Sequence, residues 1–149
     1  MITQKRILFL CTGNSCRSQM AEALLRHLLG DEVVTASAGT EPKRLHPLAV
    51  RVMEEIGLDI SHQRSKGVDN VMGHSWDLVI TVCDRAKESC PLFPGDSEKL
   101  HWSFDDPAEA QGSDEQRVHV FRRVRDEILT RLRHFVLSKK LERKNQEIQ

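Results

Sequence analysis

The sequence predicts an α/β fold, in which a single domain holds a four-stranded parallel sheet flanked by helices. Three observations favour this fold. Short apolar runs typical of buried strands alternate with longer segments whose apolar residues recur every three or four positions. Proline and glycine residues bracket segments of helical pattern. No repeat, low-complexity tract or linker interrupts the 149 residues, so one domain over residues 1–137 accounts for most of the chain.

The first half of the chain supplies two strands and two helices. Ile7–Leu10 is an apolar run typical of a buried strand, and Gln19–Leu29 has the spacing of an amphipathic helix. Val33–Ala36 is the second predicted strand, which ends at the small residues that follow it. Leu48–Ile56 is predicted to be a helix because a proline precedes it and a glycine follows it, the order that helix termini favour.

The second half supplies two more strands and a long helix. The β-branched run in Asp77–Val82 suits a fully buried third strand, and Leu100–Phe104 is the fourth. Ser113 and Gln116 match a capping box that begins the last helix. The polar segment Ser138–Gln149 is predicted to be a frayed tail. The apolar positions of the last helix recur at three or four: Phe121, Val124, Ile128, Leu132 and Phe135.

Composition argues against several classes of function. The chain carries 22 basic and 22 acidic residues, and its formal net charge of zero argues against general binding to nucleic acid or anionic membranes. No apolar stretch approaches the length of a membrane span, and the run after Arg6 is too short for a signal peptide. We therefore expect a cytoplasmic protein, in which cysteines are catalytic, redox-active or metal-binding rather than structural disulfides.

The loop between the first strand and helix has a pattern that suits anion binding. Cys11 follows the strand, and Arg17 lies six residues later, near the start of the helix. Such a loop presents several backbone N–H groups to one point, where the helix dipole adds partial positive charge. Arg17 supplies a planar fork for two oxygens of a tetrahedral anion. The predicted anion loop is continuous: Thr12, Gly13, Asn14, Ser15, Cys16, Arg17 and Ser18.

Cys11 is the predicted nucleophile. Backbone N–H groups, a helix N-terminus and a guanidinium each stabilise a thiolate, so the pKa of Cys11 is expected to be lowered. The Ser18 hydroxyl can add a hydrogen bond to the sulfur. The alternative is a buried strand-end cysteine beside an unrelated arginine, but the strand, loop and helix favour catalysis. Cys16 is interpreted as a packing residue, with a bond to Cys11 on oxidation as the alternative.

A second cysteine pair follows the third strand. Cys83 ends that strand and Cys90 comes seven residues later. Asp84 is a candidate N-cap and Pro91 disfavours helix at Cys90, which leaves a helix of at most about six residues. Helical positions 83 and 90 stand roughly 10 Å apart, whereas a disulfide needs Cα atoms within about 7 Å. A disulfide would require this helix to unwind; two buried structural cysteines are the alternative.

A carboxylate follows the fourth strand. Pro107 restricts Asp106 to an extended conformation, and we prefer Asp106 to Asp105 as a donor of a proton to a departing oxygen. Cys11, Cys83 and Asp106 all follow predicted strands, so they should converge at the sheet edge where parallel sheets bind ligands.

The segment from Cys11 to Glu22 resembles the anion-binding loop of the low-molecular-weight protein tyrosine phosphatases and of the arsenate reductases built on the same fold. Its sequence, Cys-Thr-Gly-Asn-Ser-Cys-Arg-Ser-Gln-Met-Ala-Glu, is similar to the reductase branch in particular. Cys83 and Cys90 resemble the cysteine pair of thioredoxin-coupled reductases, and Asp106 matches the superfamily's acid before a proline. The resemblance extends to about Val136.

This resemblance implies reduction of arsenate to arsenite by a relay of three thiols. Cys11 attacks arsenate while Asp106 protonates the departing oxygen. Cys83 then attacks Cys11 and releases arsenite, and Cys90 attacks Cys83 to leave a disulfide that thioredoxin reduces. No organic cofactor is expected, and we expect a monomer. The alternatives are a phosphatase of phosphotyrosine or aryl phosphates that uses Cys11, Arg17 and Asp106, and a non-catalytic oxyanion or redox sensor.

Two departures from the family pattern bear on these alternatives. Phosphatases of this fold usually carry aromatic residues after the proline, but Ala108 and Glu109 follow here and the chain has no tyrosine. Some reductases bind potassium where this chain has Asn14, Glu22 and Ser37. The rest of that site would lie in residues 61–66, which carry two cations here and resemble the phosphatase branch. The Lys66 ammonium is expected to take the place of that ion, so no potassium requirement is expected. Zinc is not expected either, since the spacings Cys-x4-Cys and Cys-x6-Cys differ from those of structural zinc sites.

Overall fold

A computed structural model describes residues 4–91 and 93–148 and confirms the predicted α/β fold. All strand pairs are parallel, and the strand order is β2-β1-β3-β4. Three short 3-10 turns lie at Gly30–Glu32, Val68–Asn70 and Pro107–Glu109. The strands and helices are β1 Lys5–Cys11, α1 Arg17–Leu29, β2 Val33–Gly39, α2 Pro47–Glu54, β3 Leu78–Thr81, α3 Asp84–Glu88, β4 Glu98–His101 and α4 Asp114–Ile148.

The centre of the sheet is buried on both faces. Residues 7–11 of β1 are buried without interruption, and so are residues 78–83, which contain β3. Such unbroken burial is typical of a parallel sheet with both faces covered. Because the strands are parallel, the segments that follow β1, β3 and β4 begin at one edge of the sheet.

Two strands differ from the prediction. β2 continues from Ala36 to Gly39, because these small residues keep their register with the last residues of β1. β4 is Glu98–His101 rather than Leu100–Phe104, because it is an edge strand and therefore needs no apolar run to pair with β3. The chain after β4 nevertheless stays beside β3, since the Trp102 N–H donates to the Thr81 carbonyl oxygen at 2.8 Å. The other predicted strand and helix ends lie within two residues of those observed.

The prediction of a frayed tail over Ser138–Gln149 is wrong as far as residue 148, because α4 continues to Ile148. The tail is rich in lysine, glutamate and arginine, which are good helix formers, and Lys139 pairs with Glu142 one turn later at 3.6 Å. Gln149 lies outside the described residues. Among the described residues, every helix is too short or too polar to span a membrane.

The predicted capping box at the start of α4 is confirmed. The Ser113 N–H donates to Gln116 Oε1 at 2.8 Å, and the Gln116 N–H donates to Ser113 Oγ at 3.2 Å. These two bonds satisfy backbone donors that have no partner within the helix, so the start of α4 is defined beside the loop that carries Asp106.

An ion-pair cluster joins the end of α2 to α4. Glu55 accepts hydrogen bonds from Arg122 at 2.6 and 2.9 Å and from Arg125 at 3.0 Å. The Arg125 side chain is only 7% exposed and also donates to the Val52 carbonyl oxygen at 2.8 Å. Hydrogen bonds from Arg122 are the largest cause of a lowered Glu55 pKa, which falls from 4.5 to about 2.

Glu55→Gln is expected to lower the free energy of unfolding by about 1–2 kcal/mol and Tm by about 3–6 °C at pH 7, because Arg125 loses a charged partner. Since the pKa of Glu55 is lower in the folded chain, its stabilisation is complete above pH 4.5 and is lost as pH falls toward 2. Thermal unfolding of both proteins across this range measures the difference. Glu115→Gln removes an exposed pair with Arg51 and should change Tm by less than about 1 °C.

Candidate active site

The anion loop turns its backbone N–H groups toward one cavity. Its carbonyl oxygens are held from outside by N–H groups of residues 40–46. The C=O of one residue and the N–H of the next point in opposite directions in a trans peptide, so these N–H groups face inward. A concave set of donors results, which suits a tetrahedral oxyanion. The bonds run from Thr40 to Cys11 (3.1 Å), Glu41 to Thr12 (2.8 Å), Lys43 to Gly13 (2.7 Å) and His46 to Ser15 (3.0 Å).

Two residues allow the loop to take this shape. Gly39 lies against it, and a Cβ there would come within 2.6 Å of the Thr12 carbonyl oxygen, so a larger residue does not fit. Asn14 has a φ of 48°, a left-handed conformation that asparagine tolerates better than most residues. Its buried side chain donates to Ser18 Oγ (2.8 Å) and Ser37 Oγ (2.9 Å) and accepts from the Lys66 N–H (2.9 Å) and Gln19 Nε2 (3.1 Å).

The Cys11 sulfur receives two hydrogen bonds. The Asn14 N–H donates to it at 3.1 Å, and Ser18 Oγ lies 2.8 Å away. Because Ser18 Oγ accepts a bond from the Asn14 side-chain amide, its own hydrogen is available to the sulfur. These donors favour a thiolate, as the sequence predicts.

The pKa of Cys11 nevertheless differs from the prediction. Burial is the largest cause and raises the pKa of this thiol above its ordinary value, while Ser18, Arg17 and Asn14 lower it. The motif identifies the donors, but it does not reveal that the side chain is only 2% exposed. A buried Cys11 thiolate is therefore stabilised mainly by its hydrogen bonds from Ser18 and Asn14 and by the charge of Arg17.

Arg17 and Asp106 lie together beside the anion loop. Arg17 is the first residue of α1, and its guanidinium donates to the Phe104 carbonyl oxygen at 3.1 Å. A guanidinium nitrogen lies 3.6 Å from Asp106 Oδ2, and Asp106 Oδ1 accepts the Ala108 N–H at 3.0 Å. Arg17 thus fixes the segment that carries Asp106 while facing the cavity.

Asp106, not Asp105, faces the cavity. Asp106 has φ −82° and ψ 105°, the extended conformation predicted from Pro107. Asp105 pairs instead with Arg123 on α4 at 3.2 Å.

Cys83 lies at the N-terminus of α3, beside the anion loop. Its sulfur is 3.3 Å from Thr12 Oγ1, and the residue is 5% exposed. The N-cap position belongs to Cys83, so the prediction of Asp84 as N-cap is wrong by one residue. The Asp84 carboxylate instead accepts from His101 Nε2 at 2.8 Å, because β4 ends beside it.

Cys90 lies two residues beyond α3 and is half-buried. Burial raises the pKa of its thiol, whose Sγ donates to the Pro91 carbonyl oxygen at 3.6 Å. All four cysteines are free thiols. Burial also raises the pKa of Cys16 to about 12, so that side chain remains protonated.

A cavity of about 440 Å³ brings most of these groups together. As predicted, Cys11, Cys83 and Asp106 converge on it. Cys90 does not line it, and Asn14 and Ser18 lie behind the Cys11 sulfur. The lining residues are Cys11, Thr12, Gly13, Ser15, Cys16, Arg17, Lys43, Cys83, Asp84, Arg85, Asp106, Ala108 and Glu109.

Residues 6–147 match the model of the low molecular weight phosphotyrosine protein phosphatase family. The chain belongs to this family. Proteins similar to this chain carry two activities in their names, arsenate reductase and protein tyrosine phosphatase. An arsenate reductase of Halalkalibacterium halodurans is 52% identical to this chain over 134 residues, which are 90% of this chain and 96% of the relative.

Solved structures of similar proteins share the fold of this family member. An arsenate reductase in the phosphate binding state gives a TM-score of 0.72 at 33% identity, covering 91% of this chain and 98% of that one. A thioredoxin-dependent arsenate reductase of Corynebacterium glutamicum also gives 0.72, at 31% identity, covering 93% of this chain and 63% of that one.

For a member of this phosphatase family, the cavity is poor in aromatic groups. Ala108 and Glu109 line it where the family resemblance predicts aromatic residues, and the chain contains no tyrosine. Within residues 4–91 and 93–148, no three His, Cys, Asp or Glu side chains group in a way that could hold a metal ion.

Sequence reasoning missed the polar groups that hold the anion loop from behind. Gln19 Nε2 and Ser65 Oγ both donate to the Asn14 carbonyl oxygen, at 3.0 and 2.7 Å. Gln63 in turn donates to Gln19 Oε1 at 2.6 Å. Gln19 gives little signal of this role, because the polar residues Arg17 and Ser18 precede it at the start of the first helix. Residues 63 and 65 lie in the stretch that the resemblance places beside the loop, but only the fold shows that their side chains bond to Gln19 and Asn14.

Proposed function

We propose that this protein reduces arsenate to arsenite by thiol–disulfide exchange among Cys11, Cys83 and Cys90, with thioredoxin as the external reductant. The proposal rests on the position of the Cys83 thiol. Its sulfur lies 3.3 Å from Thr12 Oγ1 and lines the same cavity as Cys11. Hydrolysis of a phosphate ester needs one thiol, whereas reduction of arsenate consumes two electrons, which a second thiol helps to supply. The relatives named arsenate reductase support this branch of the family.

In the first step the anion loop binds arsenate through its backbone N–H groups and the Arg17 guanidinium. The Cys11 thiolate, stabilised by Ser18 and by the Asn14 N–H, attacks arsenic. Asp106 gives a proton to the departing oxygen, which leaves as water. Arsenic is still As(V) after this step and is bonded to the Cys11 sulfur.

In the second step the Cys83 thiolate attacks the Cys11 sulfur. The sulfur–arsenic bond breaks and leaves its electron pair on arsenic, so that As(V) becomes As(III) and arsenite departs. A Cys11–Cys83 disulfide remains. The Thr12 hydroxyl, 3.3 Å from the Cys83 sulfur, can donate a hydrogen bond to the attacking thiolate.

In the third step the Cys90 thiolate attacks Cys83 and Cys11 leaves as a thiolate. In a continuous helix positions 83 and 90 would stand roughly 10 Å apart, and a disulfide needs Cα atoms within about 7 Å, so we expect α3 to unwind when their disulfide forms. Only Ala86 of the five α3 residues is buried, so few apolar contacts are lost when α3 unwinds. The exposed disulfide segment is then open to attack by a dithiol protein, and the thioredoxin dependence of the Corynebacterium relative supports thioredoxin.

We infer that this chain needs no potassium ion beside the anion loop. Glu22 Oε1 accepts a hydrogen bond from Ser37 at 2.8 Å and lies 3.9 Å from the Lys66 ammonium, while Oε2 lies 2.7 Å from Arg26. Asn14 turns its amide nitrogen, not its oxygen, toward Ser37. Two cations therefore already face the carboxylate that would be the strongest ligand.

Exchange of KCl for NaCl at equal ionic strength is expected to leave kcat/KM for arsenate and Tm unchanged, because Lys66 and Arg26 neutralise Glu22. Steady-state kinetics and thermal unfolding in the two salts measure this. A rise in Tm of more than about 2 °C in KCl would contradict the assignment of Lys66.

Hydrolysis of aryl phosphates is the second candidate function. The family assignment and the grouping of Cys11, Arg17 and Asp106 in one cavity favour it. Water would then attack the phosphorus bonded to Cys11. The other two thiols, Cys83 and Cys90, would take no part in this hydrolysis. The absence of aromatic residues from the cavity lining argues against a phenyl ring as the main substrate.

The test is arsenate-dependent oxidation of NADPH by the wild-type protein with thioredoxin and thioredoxin reductase, alongside hydrolysis of para-nitrophenyl phosphate. The proposal predicts sustained NADPH oxidation and one arsenite for each NADPH, because each reaction needs two electrons. Hydrolysis of the aryl phosphate without any arsenate-dependent oxidation would overturn the proposal in favour of a phosphatase.

A further inference from the structure

The His101 ring joins the two chain segments on either side of Cys83. Its Nδ1 lies 2.8 Å from Thr81 Oγ1, and its Nε2 lies 2.8 Å from Asp84 Oδ1. Thr81 and His101 are register partners at the ends of β3 and β4, and Asp84 is the first residue of α3. One imidazole therefore ties the residue two before Cys83 to the residue directly after it. The steps proposed above make no use of His101.

These hydrogen bonds persist whether or not the ring is charged. A carboxylate only accepts, so Nε2 carries a hydrogen that it donates to Asp84. In the neutral ring Nδ1 accepts from the Thr81 hydroxyl. In the charged ring Nδ1 donates to Thr81 Oγ1, whose hydrogen can turn to the Leu100 carbonyl oxygen at 3.4 Å. The tie is thus a structural clasp (His101 with Thr81 and Asp84) that both charge states maintain.

Little else fixes α3. Its five residues include one buried side chain, Ala86. In the described part of the chain, two polar contacts join α3 side chains to other elements. Asp84, Arg85 and Glu41 are all more than two-thirds exposed, but the Asp84–His101 contact is 2.8 Å long and its imidazole is only 23% exposed, whereas Arg85 and Glu41 lie 3.9 Å apart. The clasp is therefore the stronger of the two ties at the end of α3 that carries Cys83.

We propose that His101 is a positioning residue for the thiol relay: through Asp84 and Thr81 it holds Cys83 beside Thr12 and keeps α3 wound. This inference rests on the proposed function. In the first exchange Cys83 attacks Cys11 and arsenic takes the electron pair of the sulfur–arsenic bond, which requires Cys83 in its present position. In the second exchange Cys90 attacks Cys83 and releases Cys11, which requires α3 to unwind. The clasp supports the first exchange and opposes the second.

His101→Leu removes both hydrogen bonds of the clasp, and two readouts follow. In a Cys90→Ser background, rapid-quench measurement of arsenite reports the first exchange, which should slow about tenfold. In a Cys11→Ser background, equilibration with dithiothreitol buffers reports the Cys83–Cys90 couple, which should shift about tenfold toward the disulfide, equal to about −30 mV. His101→Gln, whose amide can still donate to Asp84, should recover most of both changes. Hydrolysis of para-nitrophenyl phosphate should stay within about twofold.

Two controls separate the clasp from a general loss of stability. Glu41→Gln removes the charged partner of Arg85 but keeps the backbone N–H that bonds to the Thr12 carbonyl oxygen, so it should change neither readout by more than about twofold. Asp84→Ala should cause a smaller change when added to His101→Leu than when made alone, because the contact between the two side chains is already gone.

Wild-type values in both readouts for His101→Leu would overturn the inference, as would equal effects of His101→Leu and Glu41→Gln. If the Cys90→Ser protein forms no Cys11–Cys83 disulfide with arsenate, the proposed function fails, and with it the role of His101 in a relay. The dithiothreitol equilibrium needs no arsenate, so it still decides whether the clasp holds α3 wound.

Discussion

Cys83→Ser is expected to reduce steady-state arsenate reduction to below about 1% of the wild-type rate. No second thiol then remains to attack the Cys11 sulfur and break its bond to arsenic. Hydrolysis of para-nitrophenyl phosphate should stay within about threefold, since Cys11, Arg17 and Asp106 are untouched. Serine preserves an oxygen that can bond to Thr12 Oγ1, where the Cys83 sulfur now lies at 3.3 Å. Parallel assays of NADPH oxidation and aryl phosphate hydrolysis measure the separation of the two activities.

Thermal unfolding checks that the Cys83→Ser protein is folded. Its Tm is expected to lie within about 2 °C of the wild type. Retention of arsenate turnover would show that Cys83 is not the second thiol. Loss of both activities with an unchanged Tm would mean that Cys83 also supports the anion loop. In a sensor without turnover, the wild type itself would show neither activity, and Cys83→Ser would abolish only the redox-dependent change in α3.

Arg17→Lys is expected to lower kcat/KM for arsenate and for para-nitrophenyl phosphate by about 10²–10³-fold each. Lysine keeps the positive charge but loses the planar fork that binds two oxygens of a tetrahedral anion. It also loses the bond to the Phe104 carbonyl oxygen, so the segment that carries Asp106 becomes less fixed. Steady-state kinetics with both substrates measure the loss.

Arg44→Lys is the matched control, because Arg44 is exposed and does not line the cavity. It should leave both kcat/KM values within about twofold. An equal loss in the two variants would contradict a specific role for the Arg17 guanidinium, and a loss confined to one substrate would contradict a shared anion site.

The sequence predicts the fold and the chemical groups of the site because both are encoded over short stretches of chain. The strand, the loop and the helix from residue 7 to 29 form a continuous local pattern, and the proline after Asp106 restricts its backbone directly. Parallel strand order then brings the segments after β1, β3 and β4 to one edge.

Other parts of the site depend on contacts distant in sequence. The bonds from residues 40–46 that turn the loop N–H groups inward cross about 30 residues of chain, and Ser65 lies 51 residues from Asn14. Burial of Cys11, which raises its pKa, also arises from packing of the whole domain. His101 carries no motif, and its relation to Asp84 appears only when β4 lies beside α3. Local patterns contain none of this information.

Disulfide mapping of the Cys90→Ser protein after reaction with arsenate, without thioredoxin, tests the thiol relay most directly. We expect one arsenite per chain, and the peptide mass spectrum should show a single new disulfide between Cys11 and Cys83, because the third thiol is missing. Phosphate in place of arsenate should give no disulfide, since it is not reduced. Arsenite released over many turnovers, or a chain in which Cys11 and Cys83 both remain free thiols after arsenite forms, would contradict the relay.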